Sequence, residues 1–191
     1  MQLHFSEVNK SGGVNGHTFS LIRKDDAGRP AETPNTTAQL LREGNPLVLE
    51  QYRAAGGSAQ LLLTSSADIE QLVKRLGEDQ MMGISIAQIT PSPYQVSGRL
   101  SKEFSDTVAR SKNLEVPVSY AMIEGYIAAK VIVEAVRRLK GKPTREGMIV
   151  ALNSIDNYDL GGYVVGFKPG ALAGSKFVEL SIITRGGKVR Q

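Results

Sequence analysis

Residues 83–90 read as a strand, and Pro91-Ser92-Pro93-Tyr94 ends it. Proline carries no backbone N–H and cannot continue a central ladder, so the chain must leave its sheet here through a stiff crossover. Downstream, Ser119 opens a long helix to residue 140, with Ala128, Val131, Ile132, Ala135, Val136 and Leu139 on a wide apolar face. A strand, a rigid exit and a long helix apolar over much of its surface demand a layered architecture.

The remaining segments alternate in the same way. Residues 3–8 suggest a short helix or helix tail, stopped at Ser11-Gly12-Gly13, where glycine permits a left-handed cap. Asn15-Gly16 signals a turn. Residues 17–24 read as a strand with Phe19, Leu21 and Ile22 inward, and Asp25 to Pro30 as a polar loop. Thr33-Pro34 opens a helix that ends at Gly44. Residues 59–64 have a buried-strand pattern. Ser65 and Ser66 then start a helix with Ile69, Leu72, Val73 and Leu76 on one face and Gly77 at its end. Leu100, Phe104 and Val108 mark a helix over 98–111, and Pro143-Thr144 caps another that runs through Leu152.

This alternation predicts an α/β fold, a three-layer αβα sandwich around a mostly parallel sheet. Two last strand candidates, 163–167 and 176–184, follow without a helix between them. They either pair antiparallel or belong to a second lobe.

Composition narrows function. The chain of 191 residues is 41% hydrophobic and 22% charged, which suffices for a sizeable core. Its formal charge of +4 comes from basic residues scattered along the sequence, such as Arg23, Lys24, Arg137, Arg138, Lys140 and Lys142. No aromatic residues interleave with them, so a nucleic-acid partner is not expected. The absence of cysteine removes disulfides, thiolate catalysis and Cys-ligated metals. No apolar run is long enough to span a membrane, and Met1 to Glu7 lacks the basic and apolar regions of a signal peptide.

Catalysis has little support. His4 and His17 are the only histidines; each is expected beside polar neighbours at the surface, and neither has metal-ligand spacing. Gly12 to Gly16 precedes a strand instead of following one, which is the wrong context for a phosphate loop. No Gly-x-Ser-x-Gly elbow occurs. A non-enzyme without cofactor or metal is expected.

Ligands in open α/β sheets bind beyond the carboxyl ends of strands. Ser65 and Ser66 follow a strand there, and their hydroxyls suit a carboxylate; alternatively they cap the helix, with Asp68 completing a capping box from Ser65. Asp25 and Asp26 could hold an ammonium or simply shape a solvated loop. Ser92 and Tyr94 stand at the crossover, where Tyr94 could cover a ligand or pack a hinge. Glu124 lies early in the long helix and gains from its dipole, while Tyr126 reads as core with a locally satisfied hydroxyl.

Several blocks together resemble the type I periplasmic solute-binding proteins of ABC importers, the branched-chain amino acid (Leu-Ile-Val-binding) family. They are Phe5 to Gly16, Ser20 to Asp26, Thr36 to Leu41, Ile86 to Tyr94, Met122 to Val136, Leu160 to Phe167 and Gly174 to Leu180. The resemblance implies two α/β lobes joined by crossovers, an amino-acid-like ligand held between the lobes without chemistry, an ABC permease as partner and a periplasmic location.

It also implies a truncated, internally deleted member. Residues 1–49 resemble a fragment of the first lobe, 50–90 a second-lobe fragment with a crossover strand, 91–158 first-lobe helices and 159–191 the C-terminal crossover strands. The jump falls at Leu49–Glu50; one continuous helix through Pro46 to Ala55 is the alternative. A main ligand loop then has no counterpart, which implies weak or no ligand binding. Lost segments expose apolar sheet edges and faces, which favours homo-oligomers.

Overall fold

The computed structural model describes residues 2–19, 60–111, 113–114, 116–168 and 173–191. In chain order its elements are α1 (Gln2–Lys10), β1 (Leu62–Thr64), α2 (Ile69–Leu76), α3 (Glu78–Met81), β2 (Ser85–Gln88), α4 (Arg99–Arg110), α5 (Tyr120–Arg138), α6 (Arg145–Asn153), β3 (Tyr158–Asp159), β4 (Val164–Val165), β5 (Glu179–Ile183) and β6 (Val189–Arg190). They fall into two units. One takes the described residues up to 19 together with Ile89–Val178; the other takes those from 60 to Gln88 together with Glu179–Gln191. The expected strand over 17–24, the helix from Thr33 and the Leu49–Glu50 junction lie wholly or mostly outside the described residues.

The first unit is built on α5. Ser119 caps it, its hydroxyl accepting from Met122 N at 3.2 Å. One face of the helix sets Ala129, Val133 and Val136 against Phe5, Val8 and Val14 of α1 and the turn after it. Another buries Ile123, Tyr126, Ile127, Val131 and Ala135 with Leu100 and Phe104 of α4, Ala151 of α6, and Tyr163 and Val165. The predicted stripe holds at Val131, Ala135 and Val136 and extends to Ala129 and Val133, both at most 1% exposed. α1 ends where Gly13 N donates to Val8 O at 3.0 Å. Gly13 sits at φ 80, and a Cβ there would overlap the His17 carbonyl, so only glycine makes this turn.

α4 occupies the predicted span, with Leu100 and Phe104 buried. Its start is held by Ser101, whose hydroxyl accepts from Gly98 N at 3.0 Å. α6 is capped by Thr144, which accepts from Gly147 N at 3.0 Å. The candidate strand at 163–167 is reduced to β4, which forms an antiparallel hairpin with β3. Its turn is fixed by the Asp159 carboxylate, which accepts from Gly161 N and Gly162 N at 2.8 and 2.7 Å.

In the second unit the described sheet has the order β1-β2-β5-β6. β1 runs parallel to β2 across α2 and α3, while β5 joins β2 antiparallel and β6 joins β5 antiparallel. The last strand candidate therefore does not pair with 163–167; it belongs to the second unit. Ile84, Ile86 and Ile183 are buried, as are Ile69 and Leu72 of α2 and Met81 of α3. β1 corrects the expectation of a buried strand at 59–64: as the edge strand among the described residues, it leaves Leu62 62% exposed.

Ile123 and Val150 give a contrast that tests this packing. Ile123 is fully buried in the α5 core, whereas Val150 on α6 is 69% exposed. Ile123→Ala is expected to lower unfolding free energy by about 2–5 kcal/mol, and Val150→Ala by less than about 0.5 kcal/mol. Chemical denaturation monitored by circular dichroism reads both; similar losses at the two sites would contradict the core as described.

Candidate functional site

The sequence-predicted binding residues divide between the units. Ser65 and Ser66 lie in the second unit, in the turn between β1 and α2. They do not cap the helix. Asp68 does, its carboxylate accepting from Gln71 N at 3.1 Å, so the expected capping box from Ser65 is replaced by a cap three positions on. The apolar face starts at Ile69, and the residue before it is placed to receive the first free N–H groups. Ser66 is exposed, with its hydroxyl 2.7 Å from Thr64 Oγ1. Ser65 is half-buried in a turn closed by Ala67 N on Thr64 O at 3.0 Å. These strand-end hydroxyls can donate to a carboxylate or amide oxygen. Asp25, the remaining acidic candidate, lies outside the described residues.

In the first unit, the structure brings Tyr94 and Glu124 to the same end of α5. The Tyr94 ring meets Tyr120, the first residue of α5, edge to face at 5.9 Å. Its hydroxyl donates to Val118 O at 3.4 Å, and its backbone N–H to the buried Ser92 hydroxyl at 3.2 Å. Glu124 is exposed one turn beyond Tyr120, on the same helix face. Tyr163 joins this end by donating to Ile89 O at 3.1 Å. Burial raises its phenol pKa, the Ser175 hydrogen bond opposes that, and the Glu124 charge adds to it. Phenol hydroxyls beside a carboxylate can meet an ammonium and a polar backbone. Tyr120 and Tyr163 were not singled out from sequence; the four-residue spacing of Tyr120 and Glu124 was the available signal for the first.

The same unit holds a titratable cluster that sequence reading did not find. Lys130 Nζ donates to both oxygens of Glu103, at 2.6 and 2.7 Å, and Tyr126 OH donates to the same carboxylate at 2.8 Å. Tyr126 is core with its hydroxyl satisfied, as expected; its phenol pKa is pushed up by burial and by Glu103. Burial alone would raise Glu103, but the hydrogen bonds from Lys130 and Tyr126 prevail and hold it below the usual carboxylate range. His4 is not at the surface. It lies half-buried, edge to face with Tyr126 at 5.1 Å, because α1 packs against α5. Burial first, then the Lys130 charge, lowers its pKa to about 4. These groups tie α1, α4 and α5 together. Among the described residues no group of acidic and histidine side chains could hold a metal ion, and no helix is long and apolar enough to cross a membrane.

A family described as periplasmic binding protein matches residues 42–173. No curated protein sequence matches the chain. Among solved structures, a substrate-binding periplasmic protein from Ralstonia solanacearum is 39% identical with a TM-score of 0.67, over 75% of this chain and 41% of that one. A possible leucine/isoleucine/valine-binding protein from Rhodopirellula baltica is 25% identical with a TM-score of 0.69, over 78% and 40%. A leucine-binding protein from Thermotoga maritima, 19% identical with a TM-score of 0.63 over 85% and 48%, shows the shared fold. The chain thus spans less than half the length of each of these structures.

The cluster sets a pH dependence. The unfolded chain protonates residue 4 near the ordinary value of 6.5, whereas the native chain resists until about 4, so stability falls as pH drops through that window. Glu103 acts in the same direction, because the stability from its lowered pKa is lost as pH falls through the folded value. The urea midpoint is expected to decline steadily between pH 6.5 and about 4, and His4→Gln to flatten that slope. A midpoint independent of pH in that window contradicts the assignment.

Proposed function

The chain belongs to the periplasmic binding protein family, and on that premise we propose that it is the substrate-binding component, or a fragment of it, of an ABC-type importer. The ligand class is a branched-chain amino acid or a related small amino acid, amide or carboxylate. Capture involves no covalent step and no cofactor, in keeping with a family of non-catalytic solute-binding proteins. An ABC permease is the partner, and the periplasm, where the family works, the location.

The observation that carries this reading is the family match, together with the repeated crossing of the chain between the units. The chain leaves the second unit after Gln88 and re-enters it at Glu179, and those two residues are paired neighbours in β2 and β5. In the second unit, Ser65 and Ser66 offer hydroxyls at a strand end; in the first, Tyr94 and Glu124 offer a ring and a carboxylate at one helix end. Hydroxyls of the first kind can meet a ligand carboxylate, and a carboxylate of the second kind a ligand ammonium. Asp25, a further proposed ligand residue, lies outside the described residues.

A second reading has its own observation. In register, Leu62 lies opposite Ser85 and Ser85 opposite Ile182, while Thr64, Ala87 and Leu180 form the next row. Leu62, Leu180 and Ile182 are 62%, 63% and 40% exposed on that shared face. Sheets of this fold class are covered on both faces, and the chain spans less than half the length of the structures it matches. A second copy presents the same stripe, so a two-fold pairing buries it on both.

Calorimetry with leucine, isoleucine and valine tests the first reading. Weak binding is expected, in the millimolar range or about −4 kcal/mol, reduced further by Glu124→Gln; no heat with any of these ligands would count against the ligand class. Light scattering tests the second: a dimer is expected, returned to monomer by Leu180→Lys, and a monomer at every concentration sinks it.

A further inference from the structure

Basic residues that look scattered in sequence gather at one end of the first unit. α1 lies parallel to α5, since His4 meets Tyr126 while Val8 and Val14 share a core with Val133 and Val136. Asn15, just after α1, donates to Val136 O and Arg137 O at 3.1 and 3.3 Å. The last residue of α1, Lys10, therefore ends near the last turn of α5, which carries Arg137 and Arg138. Exposed Lys140 and Lys142 follow directly, and exposed Arg145 is the first residue of α6.

Helix dipoles explain only part of this grouping. Arg137 and Arg138 suit the C-terminus of α5, and both are ion-paired with Glu134, at 3.6 and 2.8 Å. Lys142 and Arg145 flank the N-terminus of α6, where the dipole disfavours a cation. Neither they nor Lys140 and Lys10 enter an ion pair among the described residues; Glu146 is the acid nearest Lys142 and Arg145 in the chain, and Glu7 the acid nearest Lys10. Next to this patch, α6 turns Met148, Ala151 and Leu152 into the core yet leaves Ile149 52% and Val150 69% exposed on its outer side. Unpaired cations beside two bare aliphatic side chains match a surface with anionic headgroups above acyl chains.

We propose that this end of the first unit, formed by Lys10, Lys140, Lys142 and Arg145 with Ile149 and Val150, docks reversibly on an anionic lipid bilayer. The cations meet the headgroups and the two aliphatic side chains enter the interface. Docking needs no solute, so its failure leaves the ligand reading untouched.

Co-sedimentation of the full chain with phosphatidylcholine vesicles, with and without phosphatidylglycerol, tests the proposal. Binding is expected only with phosphatidylglycerol, falling as salt rises. The triple change Lys140→Glu, Lys142→Glu and Arg145→Glu is expected to weaken it about a hundredfold, at about fivefold or more per charge. If circular dichroism shows that this variant misfolds, the pair Lys140→Gln and Lys142→Gln, which leaves α6 whole, is read instead and is expected to lose about tenfold or more. Equal binding to both vesicle types, no binding to either, binding unchanged by the substitutions, or capture by soluble polyglutamate without vesicle binding each overturns it.

Discussion

Helix α5 must be covered on two sides, and the first unit is organised around that requirement. Ala129, Val133 and Val136 accept α1 on one side, and Ile123, Ile127, Val131 and Ala135 accept α4, α6 and the β3–β4 hairpin on the other. A helix apolar over so much of its circumference is stable in water only as the centre of a packed group. Its ends are consequently fixed in space. The first turn sets Tyr120 under Tyr94 and presents Glu124; the last is met by Asn15 from the turn after α1. The candidate ligand groups and the basic tip are two ends of one buried rod.

The polar groups inside this unit are disposed to be satisfied rather than reactive. Glu103 takes three hydrogen bonds from Lys130 and Tyr126, and the Lys130 side chain is only 13% exposed. Removing any one partner would leave a charge with less compensation than its burial demands. That arrangement keeps α1 in place and gives His4 an environment hostile to protonation. The chemistry of this cluster is structural, in line with a family that captures solutes without transforming them.

Much of the chain was legible from sequence because its signals are local. The helix spans at 69–76 and 99–110, the caps at Ser119 and Thr144, and the glycine stops at Gly13 and Gly77 follow from periodicity and from hydrogen bonds that reach a few residues. Pro91-Ser92-Pro93 marked where the chain leaves its sheet, and the division between units falls just before it, at Gln88 and Ile89. The blocks that resemble solute-binding proteins rest on the same short segments, which is why the family likeness is legible in the sequence.

What sequence could not reach is what depends on distance along the chain. Residues 59–64 read as buried because their composition is apolar, but an edge position among the described strands leaves Leu62 in water, and only strand order decides which strand is an edge. Glu103 and Lys130 are 27 residues apart, and Asn15 and Val136 are 121 apart, so no periodic pattern announces either contact. The amino-acid order alone determined the elements, their caps and the family likeness, since these arise from interactions within a few residues. Tertiary structure alone decided which strand lies outermost, that His4 is shielded by α1 packing on α5, and that separated lysines and arginines share one surface, because each depends on chain segments far apart in sequence meeting in space.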